Sequence, residues 1–241
     1  MQTTLAQYNE TQSTDSFTLQ NSKLLKVSLG GRTIQAKVGS MVAYQGDATF
    51  EHAGSGGMTR MLKKAVTGEG QELMKVSGTG EVFLADQAQD IHLVYLEGEK
   101  ITVNGPNLLA FDADIDWDIE RVQGVSGLMG GGLYNTSLQG TGWVAILSDG
   151  PPVLLDVSAA PTFADAQAAI TWSQGVTTAV RTDFKMKDLI GKSSGESVQM
   201  AFSGQGWVLV QPSEGQVAGA SNGNGGGGAK PGGALGSLLG G

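Results

Sequence analysis

Two histidines, a run of evenly spaced aspartates and a scatter of serines are what this chain offers for chemistry. His52 and His92, taken with Asp112, Asp114, Asp116 and Asp118, are residue types that ligate zinc or calcium. The aspartates alternate with Ile115, Trp117 and Ile119, so on a strand they form a solvated acidic face opposite an apolar one. They lack the spacing of an EF-hand loop, and the two histidines fall at different phases of the chain's internal repeat. No Gly-x-Ser-x-Gly elbow is present to expose a nucleophilic serine. The glycine-rich stretch Gly127–Gly132 lacks the Lys-Ser/Thr pair of a phosphate loop and feeds a strand pattern. The sequence thus assigns no catalytic residue, no metal and no cofactor, and a metalloenzyme or hydrolase has no convergent set of residues behind it.

A different chemistry, that of contact surfaces, sits in three connecting segments. In Met58–Val66 the residues Met58, Met61 and Leu62 fall on one helical stripe, with Lys63 and Lys64 off it. In Asp183–Lys192 the stripe is Met186, Leu189 and Ile190, again flanked by lysines. Gly124–Leu133 carries Leu128 and Met129 in a glycine-rich loop. A short helix with an apolar stripe and flanking cations suits a protein partner or an anionic membrane surface. The same pattern also suits a helix that covers the open end of a β-sheet.

These segments are positioned by a repeated β-unit. Ser77–Ala85 (SGTGEVFLA), Gln139–Leu147 (QGTGWVAIL) and Ser203–Gln211 (SGQGWVLVQ) each carry Gly-x-Gly before a short apolar run, the pattern of a turn feeding a buried strand. Leu25–Glu51 aligns without gaps on His92–Asp118, matching Ala43 to Ala110 and Phe50 to Trp117. A weaker copy, Pro161–Ser173, puts Pro161, Ile170 and Trp172 in the places of Pro106, Ile115 and Trp117. Period-two alternation predicts strands throughout, with hairpins about Gly30-Gly31 and Gly98. Phe163–Ile170 has helical propensity taken alone, but the repeat places it on a strand. The expectation is an all-β domain over residues 1–211, a sandwich or double-stranded β-helix-like body with short connecting helices. Its three units run approximately over 1–67, 68–134 and 135–211, and a flexible Gly-rich tail occupies 212–241.

Composition narrows the partners. The net charge of −8 argues against sequence-independent nucleic-acid binding. The chain has no cysteine, which removes disulfides and thiolate sites. No apolar run approaches the roughly 20 residues that span a bilayer, and the polar start has no leader pattern. A cytoplasmic protein, peripheral at the membrane at most, is the expected setting.

Phe17–Gln45, the element Thr67-Gly68-Glu69-Gly70, the Gly-x-Gly strands and Gly98–Phe111 (GEKITVNGPNLLAF) together resemble the altered-inheritance-of-mitochondria family. The resemblance implies a fold grouped with the tryptophan RNA-binding attenuator protein, a homo-oligomer of trimeric habit, and no catalytic residues. RNA binding follows from that fold by analogy alone, and the acidic balance opposes it. The expected function is a non-enzymatic scaffold or adaptor presenting its Met/Leu- and Lys-bearing face to a protein partner or membrane surface. A small-ligand-binding β module is the alternative.

Overall fold

A computed structural model describes residues 4–52, 72–121, 134–181 and 199–213. Apart from two short 3-10 turns, the regular elements among them are strands. Grouped by their pairings, and not at the boundaries expected near residues 67 and 134, the first unit contains β1 (Phe17–Asn21), β2 (Leu24–Ser28), β3 (Thr33–Lys37), β4 (Met41–Gln45), β5 (Ala48–His52), β6 (Leu73–Gly78) and β7 (Glu81–Leu84). The second contains β8 (Asp90–Asn104), β9 (Leu108–Asp112), β10 (Asp116–Arg121) and β11 (Tyr134–Ser148). The third contains β12 (Val153–Asp156), β13 (Thr162–Asp165), β14 (Ala169–Ser173), β15 (Val176–Arg181), β16 (Gln199–Gly204) and β17 (Trp207–Val210). Every pairing is antiparallel, and the strands form sheets of four, ten and three strands.

The strand registers make the repeat exact enough to number. Phe50 lies opposite Val76, Trp117 opposite Leu138 and Thr178 opposite Phe202, so these are equivalent pairs in the three units. The alignment of the first two units holds. In the third, Trp172 lies opposite Val208 as Phe111 lies opposite Val144, so it takes the place of Phe111 rather than of Trp117. A gap-free sequence alignment misses this because the inter-strand loops differ in length, whereas backbone pairing does not depend on loop length.

Two expected hairpins are not hairpins. β2 pairs with β1 and β7, while β3 pairs with β6 and β9, so Gly30-Gly31 carries the chain from one sheet to another. In the second unit β8 runs through Gly98 as one long strand and pairs with β11 along nearly its whole length. A central strand flanked on both sides has no need to fold back on itself, and alternation alone cannot distinguish the two cases. The stretch from Phe163 to Ile170 is non-helical, with β13 and β14 at its ends and a turn between them.

In the first and third units Gly-x-Gly is the corner at which the chain changes sheets, and in the second β11 passes through the corresponding corner with a register shift but stays in the ten-stranded sheet. β6 leaves Gly78 in the ten-stranded sheet, and β7 begins in the four-stranded one. At that corner a preceding loop presses against the glycines. A Cβ on Gly78 would lie 2.3 Å from the Asp47 carbonyl oxygen, and one on Gly80 2.2 Å from that of Gln45. In the third unit a Cβ on Gly204 would lie 2.3 Å from the Gly175 carbonyl oxygen. The corner is closed by hydrogen bonds from the residue after the second glycine: the Trp143 N–H donates to Asp112 Oδ2 at 2.8 Å and the Trp207 N–H to Ser173 Oγ at 3.0 Å. Asp112 is thus held at a corner and is not part of a solvated acidic face.

Three apolar cores follow the three units, and each neighbouring pair shares one strand, a guest from the later unit in the earlier core. β9 sends Leu109 and Ala110 into the first core and Leu108 and Phe111 into the second. β14 likewise sends Ile170 into the second core and Ala169 and Trp172 into the third. A Gly80→Ala substitution forces backbone apart and is expected to cost about 3 kcal/mol or more. Gly30→Ala, with nothing within 4 Å of the new Cβ and only a left-handed φ of 54° to tolerate, should cost about 1 kcal/mol. Denaturant unfolding of the two variants measures the difference.

Candidate functional site

The contact residues expected from sequence, Met58, Met61, Leu62, Lys63, Lys64, Leu128, Met129, Met186, Leu189 and Ile190, lie outside the described residues, as do the helices expected there. The structure does give their stems. Each connector joins two strands that pair antiparallel, from His52 opposite Met74, from Arg121 opposite Tyr134 and from Arg181 opposite Gln199. The three connectors therefore leave equivalent hairpins of the three units.

The feature that sequence reasoning missed is β4. In register it equals β9 and β14: Met41, Leu108 and Ala169 oppose equivalent residues of β7, β11 and β17, and each strand then carries a bulge residue, Val42, Leu109 or Ile170. Leu109 and Ile170 are completely buried, whereas Val42 is 57% exposed. Phe111 and Trp172 are buried, whereas Tyr44 is 52% exposed. All five residues of β4 are exposed, although four of them are Met, Val, Ala and Tyr. β4 stands at the end of the four-stranded sheet, and only β7 pairs with it among the described residues. Exposed sheet edges are ordinarily blunted by lysine, proline or an inward charge, and β4 has none of these. Tyr44 rests edge-on against Phe50, with ring centroids 5.5 Å apart, so the strand is held in place. The signal in the sequence was the apolar run MVAYQ itself, which reads like any other buried strand.

Polar chemistry is sparse by comparison. A cleft of about 430 Å³ lies between the second and third units, lined in part by Lys100, Glu120, Trp172 and Ser173, and its lysine is paired with Glu120 at 2.7 Å. A second cleft, of about 300 Å³, lies where all three units meet. There Lys37 pairs with Asp86 at 2.6 Å, and the buried Asn107 amide donates to the Leu147 carbonyl at 2.9 Å and contacts Gln211 Oε1 at 3.4 Å. Gln87, on the rim, and its neighbour Ala88 adopt left-handed φ values of 46° and 56°. Among the described residues no group of three or more His, Cys, Asp or Glu side chains could hold a metal ion.

Two buried titratable groups are structural. Lys26, enclosed on β2, bonds Glu10 and Glu81, the latter at 3.1 Å, and so ties the N-terminal segment to the sheet. Its ammonium pKa is raised by the Glu10 hydrogen bond, against the opposing effect of burial and with further help from Glu81. His92 is half-buried with Nε2 2.7 Å from Ser148 Oγ, and burial lowers its pKa against a weaker opposing pull from Asp90. A depressed histidine favours the fold above its unfolded pKa and loses that contribution as pH falls. On acidification from about pH 7 to about pH 5.5 the denaturant midpoint should therefore fall, and His92→Gln should reduce that fall.

No helix among the described residues is long and apolar enough to cross a membrane. No curated protein matches the chain. Among solved structures it is similar to protein SPYM3_0169 of Streptococcus pyogenes, determined by X-ray crystallography, with a TM-score of 0.66 and 22% identity over 81% of this chain and 91% of that one. A family model described as mitochondrial biogenesis AIM24 matches residues 17–213, from the first strand to just beyond the last. The three-unit body is therefore the matched region, and the chain belongs to the AIM24 family.

Proposed function

We propose that this protein is a non-enzymatic scaffold or adaptor whose apolar edge strand β4 docks a protein partner. The observation that carries this reading is the contrast within one set of equivalent strands, two buried and the third exposed with its apolar side chains retained. Covering what remains exposed of Val42 and Met41, 57% and 37%, is worth about 1 kcal/mol each, so an edge with this composition favours association. Main-chain groups along the edge supply affinity, and alternating side chains supply selectivity, as in β-strand addition generally. The Met/Leu and Lys connectors, which spring from equivalent hairpins, would add contacts of their own.

A second reading is favoured by the cleft where the three units meet. Its volume of about 300 Å³, its Lys37–Asp86 pair and its left-handed rim would suit a small polar ligand. Native mass spectrometry of protein purified gently from its own cells would reveal such a ligand as a constant small adduct, and a bare mass would remove this reading.

For the docking reading, a photoreactive benzoylphenylalanine in place of Val42, expressed in the protein's own cells, should give protein adducts on illumination. The same group in place of the exposed Glu97 serves as the reference. Adducts from position 42 no more abundant than those from position 97 would overturn the role assigned to β4.

A further inference from the structure

We infer that the cleft between the second and third units binds a neutral saccharide, held through neighbouring hydroxyls by Asn135, Lys100 and Glu120. This cleft is separate from the one where all three units meet, and the inference does not depend on the docking role of β4. Its volume of about 430 Å³ falls in the range of small-ligand sites. The floor is one face of the ten-stranded sheet. There the register sets Glu120 of β10 opposite Asn135 of β11, and Asn135 opposite Asn104 of β8. One step along, Thr102 of β8 lies opposite Trp172 of β14. Directly opposed residues share a face, so the sheet itself gathers these side chains on one side.

Asn135 is the informative member. It lines the cleft, is only 6% exposed, and its side-chain amide bonds no described residue. A buried amide without partners is costly, and a group seated in the cleft would satisfy it. The fold does not require a polar residue here. Since Phe50 and Trp117 are equivalent, the registers make Leu73 the counterpart of Asn135 in the first unit. Leu73 is buried to the same depth, at 5%, and packs in the second core. The architecture thus accepts an apolar side chain at this position, and burial does not account for the amide.

The charges select the class of ligand. Lys100 Nζ lies 2.7 Å from Glu120 Oε1, so the wall carries one positive and one negative group that already neutralise each other. A charged ligand would have to draw one of them from its partner. Two neighbouring hydroxyls can instead accept from the ammonium and donate to the carboxylate while the ion pair stays intact, and a third can pair with the Asn135 amide. Trp172 and Val176 supply an apolar wall, and Phe202 holds the Trp172 ring edge-on with centroids 5.4 Å apart. Adjacent hydroxyls on a compact ring with C–H faces are the chemistry of a sugar.

Saturation-transfer NMR of the full-length protein tests this with D-glucose, D-galactose and N-acetyl-D-glucosamine, and with maltotriose and chitotriose, whose end residues present the same hydroxyls. At least one of these five should receive transfer and give a saturable titration. Tighter binding of a trisaccharide than of its monosaccharide would identify a chain end as the ligand, and equal or weaker binding a free sugar. Asn135→Leu, which copies the first unit, should keep the unfolding midpoint and weaken binding about tenfold. Glu120→Gln, on a partly exposed side chain, should weaken it similarly and serves if the first variant folds poorly. Glu97→Gln, on the exposed surface outside the cleft, should leave it unchanged. The inference falls if none of the five receives transfer, as when water alone fills the cleft. It falls equally if a folded Asn135→Leu or Glu120→Gln binds as tightly as the unaltered chain.

Discussion

A Cβ on Gly80 or Gly204 would come within 2.2 or 2.3 Å of a backbone carbonyl oxygen, and this close approach is the constraint on which the rest of the molecule depends. It lets a strand turn out of one sheet and into another while the loop before it lies directly against the corner. In the first and third units the chain changes sheets at this corner, whereas β11 passes through the equivalent glycines within the ten-stranded sheet. β9 and β14 each lie beside a strand of the preceding unit, β3 and β8 respectively. The bulge in β4, β9 and β14 serves this arrangement by inserting one extra side chain. In β9 the result is that Leu109 and Ala110 enter the preceding core while Leu108 and Phe111 remain in their own.

Stability in such an architecture is shared between units. The first core draws Leu109, Ala110, Ala145 and Leu147 from the second unit, and the second draws Leu73 from the first and Ile170 from the third. Truncating a guest strand would therefore open two cores, which binds the units more tightly than beads on a linker. Around these cores the polar groups mostly serve the backbone. Asp112 and Ser173 close corners, Lys26 fastens the N-terminal segment through Glu10 and Glu81, and Lys37 and Lys100 are held in ion pairs.

Among the described residues β4 carries its apolar edge uncovered. Substituting a lysine into β4 would blunt the edge at little cost to the chain by itself, yet the strand keeps Met41, Val42, Ala43 and Tyr44. The same composition in β9 and β14 is explained by burial alone. That one sequence pattern appears in covered and uncovered settings is the physical case for reading β4 as a contact surface.

From the sequence alone came the all-β class, the long period, the Gly-x-Gly signal and the gap-free match of the first two units. These are legible because alternation, glycine placement and residue identity are local properties of the chain. The sequence did not reveal that Gly30-Gly31 joins two sheets, that β8 passes unbroken through Gly98, or that Trp172 belongs with Phe111. Least of all did it single out β4, whose residues cannot be told apart by pattern from those of β9. Strand pairing is a contact between distant parts of a chain, so which backbone arrives at an edge, and whether any does, is decided only in three dimensions. Tertiary structure alone made Leu109 a core residue and left its equivalent, Val42, facing solvent.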